Sequence, residues 1–242
     1  MSLDRATHPL QAPSRRISSW HPATVGQWPG RVASVIGLWG CSFTCPECVG
    51  PRDASAAVDV PAWIEIVDHI HEHRAVLDSI VVTGGEPLED PDLPSLLAAL
   101  CELGLDVLLE TNGSRPDVLA YSIAEGLVHG VALDIKTVPA RYRLVSPERD
   151  MAARVAECAD MLICSDIDHE FRTVLRPGLV TPDDTTRIAR TLQGGRLYTL
   201  MRDESCDTSD GSPFCDEALR AAAVSCARFL PCIARDLETG AC

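Results

Sequence analysis

The sequence predicts an α/β fold on a parallel sheet, either doubly wound or closed wholly or partly into a barrel. Three observations predict it. Short β-branched apolar runs alternate with longer segments of helical period, six times along the chain. Glycine or proline punctuates most of the junctions. The unusual polar residues fall at the C-terminal ends of the apolar runs, where ligands sit in both kinds of parallel sheet.

In order, RVASVIGL (31–38) is a strand, and PAWIEIVDHIHEHR (61–74) a helix with Pro61 in its first turn. SIVVTGG (79–85) is a strand ending in two glycines, and PDLPSLLAALCELG (91–104) a helix closed by Gly104. DVLLETNG (106–113) is a strand, RPDVLAYSIAEG (115–126) a helix and VHGVALDIKT (128–137) a strand. RDMAARVAECADMLICS (149–165) is a helix and HEFRTVLR (169–176) a strand. TPDDTTRIARTLQGG (181–195) is a helix capped by Thr181 and stopped by Gly194 or Gly195, and RLYTLMR (196–202) a strand. A helix near 217–229 and a short strand near 232–236 complete the chain.

With 242 residues, 46% of them apolar, the chain suits one α/β domain. The domain is placed at 21–242, with a Cys-rich helix and strand over 205–242, behind a polar, flexible lead-in over 1–20. A net charge of −14 argues against nucleic acid and anionic membranes as partners. No apolar run reaches the roughly 18 residues of a membrane span, and the N-terminus lacks an apolar signal core. A cytoplasmic location is expected. Eleven cysteines without an export signal point to thiols or metal-bound thiolates rather than a disulfide framework.

Cys41, Cys45 and Cys48 follow the first strand with C-x3-C-x2-C spacing. Three thiolates on one loop suit an iron–sulfur cluster with an open iron position; the competing reading is zinc completed by a distant Cys or His. His69, His71 and His73 lie in a helical stretch and read as solvated. Gly84 and Gly85 end the second strand without side chains, leaving room for a ligand to approach backbone carbonyls, and Glu86 follows as an acceptor. Glu110 and Asn112 share a face of the third strand, as Asp134 and Lys136 share a face of the fourth. Lys136 is the single lysine beside 20 arginines, which suggests a position that demands an ammonium.

Together, the Cys41–Cys45–Cys48 motif, TGGEP (83–87) and ETNGS (110–114) resemble the radical S-adenosylmethionine (SAM) superfamily, and the resemblance extends from about Gly26 to Glu238. GQWPGRVASVIGLWGC, VALDIKTVPARY and HEFRTVLRPGLVTPDD are similar to the activating enzymes of anaerobic ribonucleotide reductase and pyruvate formate-lyase. The resemblance implies a partial (β/α)6 barrel, TIM-like, holding one [4Fe–4S] cluster on Cys41, Cys45 and Cys48. It implies that SAM takes the open iron and is cleaved reductively to a 5′-deoxyadenosyl radical, which abstracts hydrogen. It places Gly84, Gly85 and Glu86 at the SAM amino group, and Asn112, Asp134, Lys136 and Arg172 at its carboxylate and ribose. An electron donor of flavodoxin or ferredoxin type is implied as a partner.

The expected function is a radical SAM oxidoreductase that activates a glycyl radical enzyme. Modification of a small molecule or peptide in a biosynthetic pathway is the alternative. It draws on Glu47, Val49–Gly50 and Met201–Arg202, which depart from the activase pattern. A non-catalytic metal-binding regulatory protein is the third reading. Cys206, Cys215, Cys226, Cys232 and Cys242 crowd the tail without a C-x2-C pair, so they read as apolar filling rather than an auxiliary cluster. Cys101, Cys158 and Cys164 read as core.

Overall fold

A computed structural model describes residues 13–14, 16–46, 48, 60–203, 206–209 and 211–235. Eight strands run through it: β1 (Ile17–Thr24), β2 (Ala33–Leu38), β3 (Ser79–Gly84), β4 (Asp106–Thr111), β5 (Gly130–Asp134), β6 (Asp168–Leu175), β7 (Tyr198–Arg202) and β8 (Cys232–Ala234). The helices are α1 (Trp63–Glu72), α2 (Leu93–Glu102), α3 (Pro116–Ala124), α4 (Met151–Cys164), α5 (Pro182–Thr191) and α6 (Asp216–Cys226). Short 3-10 helices at Pro87–Glu89 and Pro139–Leu144 follow β3 and β5.

The strands lie side by side in chain order, β2 to β8 all parallel. The sheet does not close, so β1 and β8 are its two edges, in keeping with a partial barrel. The expected strand–helix alternation is present throughout. β1 is an addition: the lead-in expected over 1–20 instead ends in a strand antiparallel to β2, pairing Ile17 with Leu38 and His21 with Val35. Residues 1–12 of that lead-in lie outside the described residues.

The parity of each strand separates two cores. Ile36, Ile80, Val82, Val107, Leu109, Val131, Leu133, Phe171 and Leu200 pack on the helices in the main core. Val35, Val81, Leu108 and Ala132, on the opposite face, form a small cluster with Ala33 and Trp28. Trp28, in the β1–β2 loop, thus plugs the helix-free face near the N-terminal ends of the strands. One step further along each strand, the same parity puts Thr83, Glu110 and Asp134 on that inner face. Glu170, Arg172 and Thr199 join them, since their neighbours Phe171, Tyr198 and Leu200 pack outward. An apolar floor beneath a polar layer therefore follows from period-two patterning alone.

Candidate active site

The loop after β2 carries the three cysteines and is held from three sides. The ends of β2 and β3 are joined by Gly85 N–H donating to Leu38 O at 2.6 Å and Glu86 N–H donating to Gly40 O at 2.7 Å. A Cβ on Gly84, whose φ is +112°, would collide with Leu38 backbone, and one on Gly85 with Gly40 backbone. The room left by the two glycines is thus filled by the cysteine loop itself, not held open for a ligand on that side. Ser42 N–H donates to Glu89 Oε2 at 3.0 Å, and Thr44 N–H to Val145 O at 2.8 Å. Phe43, buried in the main core, anchors the loop's middle.

Cys41 accepts two donors at its sulfur, Phe43 N–H at 3.4 Å and the Asn112 side-chain amide at 3.6 Å. Burial pushes the Cys41 thiol up to about 12, and the nearby carboxylates of Glu86 and Glu89 add to the rise. A thiolate there needs a bound cation to offset its cost. Cys45 is buried and Cys48 exposed, with Cys48 N–H donating to Cys45 O at 3.3 Å. Among the described residues, no three His, Cys, Asp or Glu side chains are drawn together at metal-binding distance. The donor set nevertheless fits an iron–sulfur cluster: three soft thiols on one short loop, with N–H groups aimed at the first sulfur.

Glu86 is 2% exposed. Its carboxylate accepts from Leu88 N–H at 3.0 Å, the Thr111 hydroxyl at 2.5 Å and Asn112 N–H at 2.7 Å. Burial raises its carboxyl to about 7 in spite of these donors. Glu86 therefore ties the end of β3 to the end of β4, and Asn112, held in turn by Ser114 N–H on its Oδ1 at 2.9 Å, is aimed at Cys41.

Deeper in the barrel, Arg172 uses all three nitrogens within the chain. It donates to Glu110 at 2.5 Å, Glu170 at 2.9 Å and Gln27 O at 3.3 Å. Thr83 donates to the other oxygen of Glu110 at 2.7 Å, and Thr199 donates to Glu170. The network spans β3, β4, β6 and β7 across the inner face. Lys136, just beyond β5, pairs with Asp134 at 2.9 Å, with side-chain exposures of 20% and 33%.

The structure thus brings Cys41, Gly84, Gly85, Glu86 and Asn112 into one contiguous group. Asp134 and Lys136 form their own pair at the end of β5, and Arg172 belongs to the network of Glu110 and Glu170 on the inner face. Glu89, Thr111 and Val145, which hold the group in place, were not singled out from sequence. Glu89 and Val145 act through loop contacts that have no period, whereas Thr111 lay inside an already noted strand end. Glu170 left a signal, a charge within an apolar parallel strand. Three other expectations are adjusted. His69 is half-buried, its ring against Trp20 at 5.0 Å and stacked on His73 at 4.0 Å, rather than fully solvated. Cys164 is exposed at the end of α4, and Cys101 is half-buried. Cys242 lies outside the described residues.

The sequence matches the Radical SAM superfamily over residues 38–192. A Methanocaldococcus jannaschii protein, provisionally named a glycyl-radical enzyme activating enzyme, is 27% identical over 76% of this chain and 78% of its own. The 7-carboxy-7-deazaguanine synthase of Rhodospirillum rubrum is also 27% identical, over 84% of this chain and 81% of its own. The PqqA peptide cyclase of Methylorubrum populi is 28% identical over 58% of this chain and 39% of its own. In fold, the crystal structure of Streptococcus suis SuiB superposes with a TM-score of 0.59 at 15% identity, over 83% of this chain and 48% of SuiB. Its SAM-bound form superposes with a TM-score of 0.57. The family match, running from the cysteine loop through α5, establishes that the chain belongs to the radical SAM superfamily, whose cofactors are a [4Fe–4S] cluster on three cysteines and SAM.

Proposed function

We propose that Cys41, Cys45 and Cys48 hold the [4Fe–4S] cluster and that the chain activates a glycyl radical enzyme. The observation that carries the site assignment is the docking of the cysteine loop on the ends of β3 and β4, through Gly40 O and the Asn112 amide. When bound, the cluster and SAM supply a 5′-deoxyadenosyl radical for hydrogen abstraction. The protein's own work is placement and exclusion of water. Gly84, Gly85 and Glu86 form the wall on the SAM amino side, with Glu86 locked by Thr111 and Asn112. Asn112, Asp134 and Lys136 present amide, carboxylate and ammonium at the mouth for the carboxylate and ribose. Arg172, engaged on every nitrogen, supports that layer by holding Glu110 and Glu170 in position.

The activase reading is supported by the M. jannaschii relative, which covers three-quarters of both chains. The open sheet, with β1 and β8 as separate edges, offers a side entrance for a backbone segment of a partner enzyme. A second reading, a small-molecule substrate in a biosynthetic pathway, is favoured by the equally identical deazaguanine synthase, aligned over a slightly larger share of both chains. The two readings are separated by mixing the anaerobic, reconstituted protein, SAM and a flavodoxin- or ferredoxin-type donor with a glycyl radical enzyme from the same genome. A stable glycyl radical in the electron paramagnetic resonance spectrum, formed in step with 5′-deoxyadenosine, supports the activase. Its absence, with 5′-deoxyadenosine instead stimulated by a small molecule, supports the second reading.

A further inference from the structure

The tail cysteines contain a pair that the radical chemistry does not use. Cys226 is the last residue of α6 and Cys232 the first of β8, with 227–231 turning between them. The turn is fixed at both ends: Phe229 N–H donates to Cys226 O at 2.9 Å, and Tyr198 N–H donates to Pro231 O at 2.8 Å. Across this turn the thiols of Cys226 and Cys232 are in hydrogen-bond contact. Cys226 is fully buried, its sulfur 3.5 Å from the Thr185 hydroxyl, while Cys232 is half-buried and reachable from solvent. A buried thiol and a reachable one in mutual contact, across the junction of the last helix and the edge strand, is the arrangement that thiol–disulfide exchange requires.

We propose that Cys226 and Cys232 form a reversible dithiol–disulfide pair, oxidised by a small disulfide of the glutathione class, whose closure staples β8 to α6. The exchange runs in two displacements. The Cys232 thiolate attacks one sulfur of the small disulfide, forming a mixed disulfide and releasing one small thiol. The Cys226 thiolate then attacks the Cys232 sulfur, forming the protein disulfide and releasing the second. Two electrons pass from the protein sulfurs to the small disulfide, and the two protons leave on the two small thiols. Staple closure bears on the barrel interior. Arg235, one residue past β8, lies 3.6 Å from Glu170, the carboxylate that Arg172 holds.

The test uses the cluster-loaded protein, kept anaerobic and equilibrated with graded ratios of oxidised to reduced glutathione. Samples are acid-quenched, alkylated and digested with trypsin. Cleavage at Arg220, Arg228 and Arg235 leaves peptides 221–228 and 229–235, each with one cysteine, so the link is read directly by mass. The expected result is a linked 221–228/229–235 pair that becomes the main form under oxidising ratios, reverts with dithiothreitol, and appears while iron and sulfide content are unchanged. In Cys226→Ser, peptide 229–235 should carry a glutathione adduct instead. The proposal is overturned if both peptides stay alkylated at every ratio. It is equally overturned if the parent protein shows the same lasting adduct on Cys232 as Cys226→Ser, or if the link forms only after iron is lost.

Discussion

The Asn112 side-chain amide donates to the Cys41 sulfur at 3.6 Å, joining the end of β4 to the first cysteine of the β2 loop. A donor on a ligating sulfur stabilises the more negative, reduced state of a cluster. Asn112→Ala should therefore lower the cluster's reduction potential, with an energetic equivalent of about 1 kcal/mol, the usual worth of one hydrogen bond. A redox titration followed by electron paramagnetic resonance measures this. An unchanged potential would mean that the amide contact has no electronic consequence.

Gly85 abuts the Gly40 backbone, so Gly85→Ala must displace the cysteine loop or the end of β3. The expected outcome is a folded protein, by circular dichroism, that retains little iron and sulfide after reconstitution. The strain exceeds roughly 2 kcal/mol, in the range of backbone conflicts at functional loops. Full iron loading of the variant would show that the loop is free of β3.

Arg172 sits between Glu110 and Glu170 at 2.5 and 2.9 Å and is 8% exposed. Arg172→Met leaves Glu110 without its arginine and Glu170 with the more distant Arg235 at 3.6 Å, and should destabilise the metal-free protein by about 3 kcal/mol. Adding Glu110→Gln should restore part of that loss, since it removes the stranded charge. Denaturant titrations of the single and double variants check the sign. An additive result would dismiss the network as a unit.

Lys136 and Asp134 pair at 2.9 Å near the mouth. If the ammonium serves SAM, Lys136→Arg should weaken SAM binding or slow its cleavage by the equivalent of about 1–3 kcal/mol, because the planar guanidinium fork does not reproduce a compact ammonium. Cluster assembly should be untouched, since Lys136 lies beyond β5 and the cysteines follow β2. Equilibrium binding and 5′-deoxyadenosine rates decide it, and parity with the parent in both would reduce Lys136 to a surface charge.

What the sequence revealed followed from periodicity and from the rule that parallel strands carry their chemistry at their C-terminal ends. Cys41, Glu86 and Asn112 each lie just past the end of a strand, and they meet. Strand β1 was not legible, because Ile17–Thr24 is a half-exposed edge strand with neither clean alternation nor a crossover helix. The reason for Gly84 and Gly85 was legible only in part. Their backbone freedom was apparent, but the Leu38 and Gly40 backbone that occupies the space comes from the end of β2 and the loop after it, far earlier in the chain, a contact invisible to local pattern. The pairing of Cys226 with Cys232 was hidden likewise, since five intervening residues could have held the thiols apart as easily as together.

The most direct test of the account measures the products of SAM after anaerobic reconstitution, with dithionite as reductant. The protein is expected to hold one cluster and release 5′-deoxyadenosine and methionine, while the Cys45→Ala variant holds no cluster and releases neither. Stoichiometric zinc without sulfide in anaerobically purified protein, or S-adenosylhomocysteine as the only product, would contradict it.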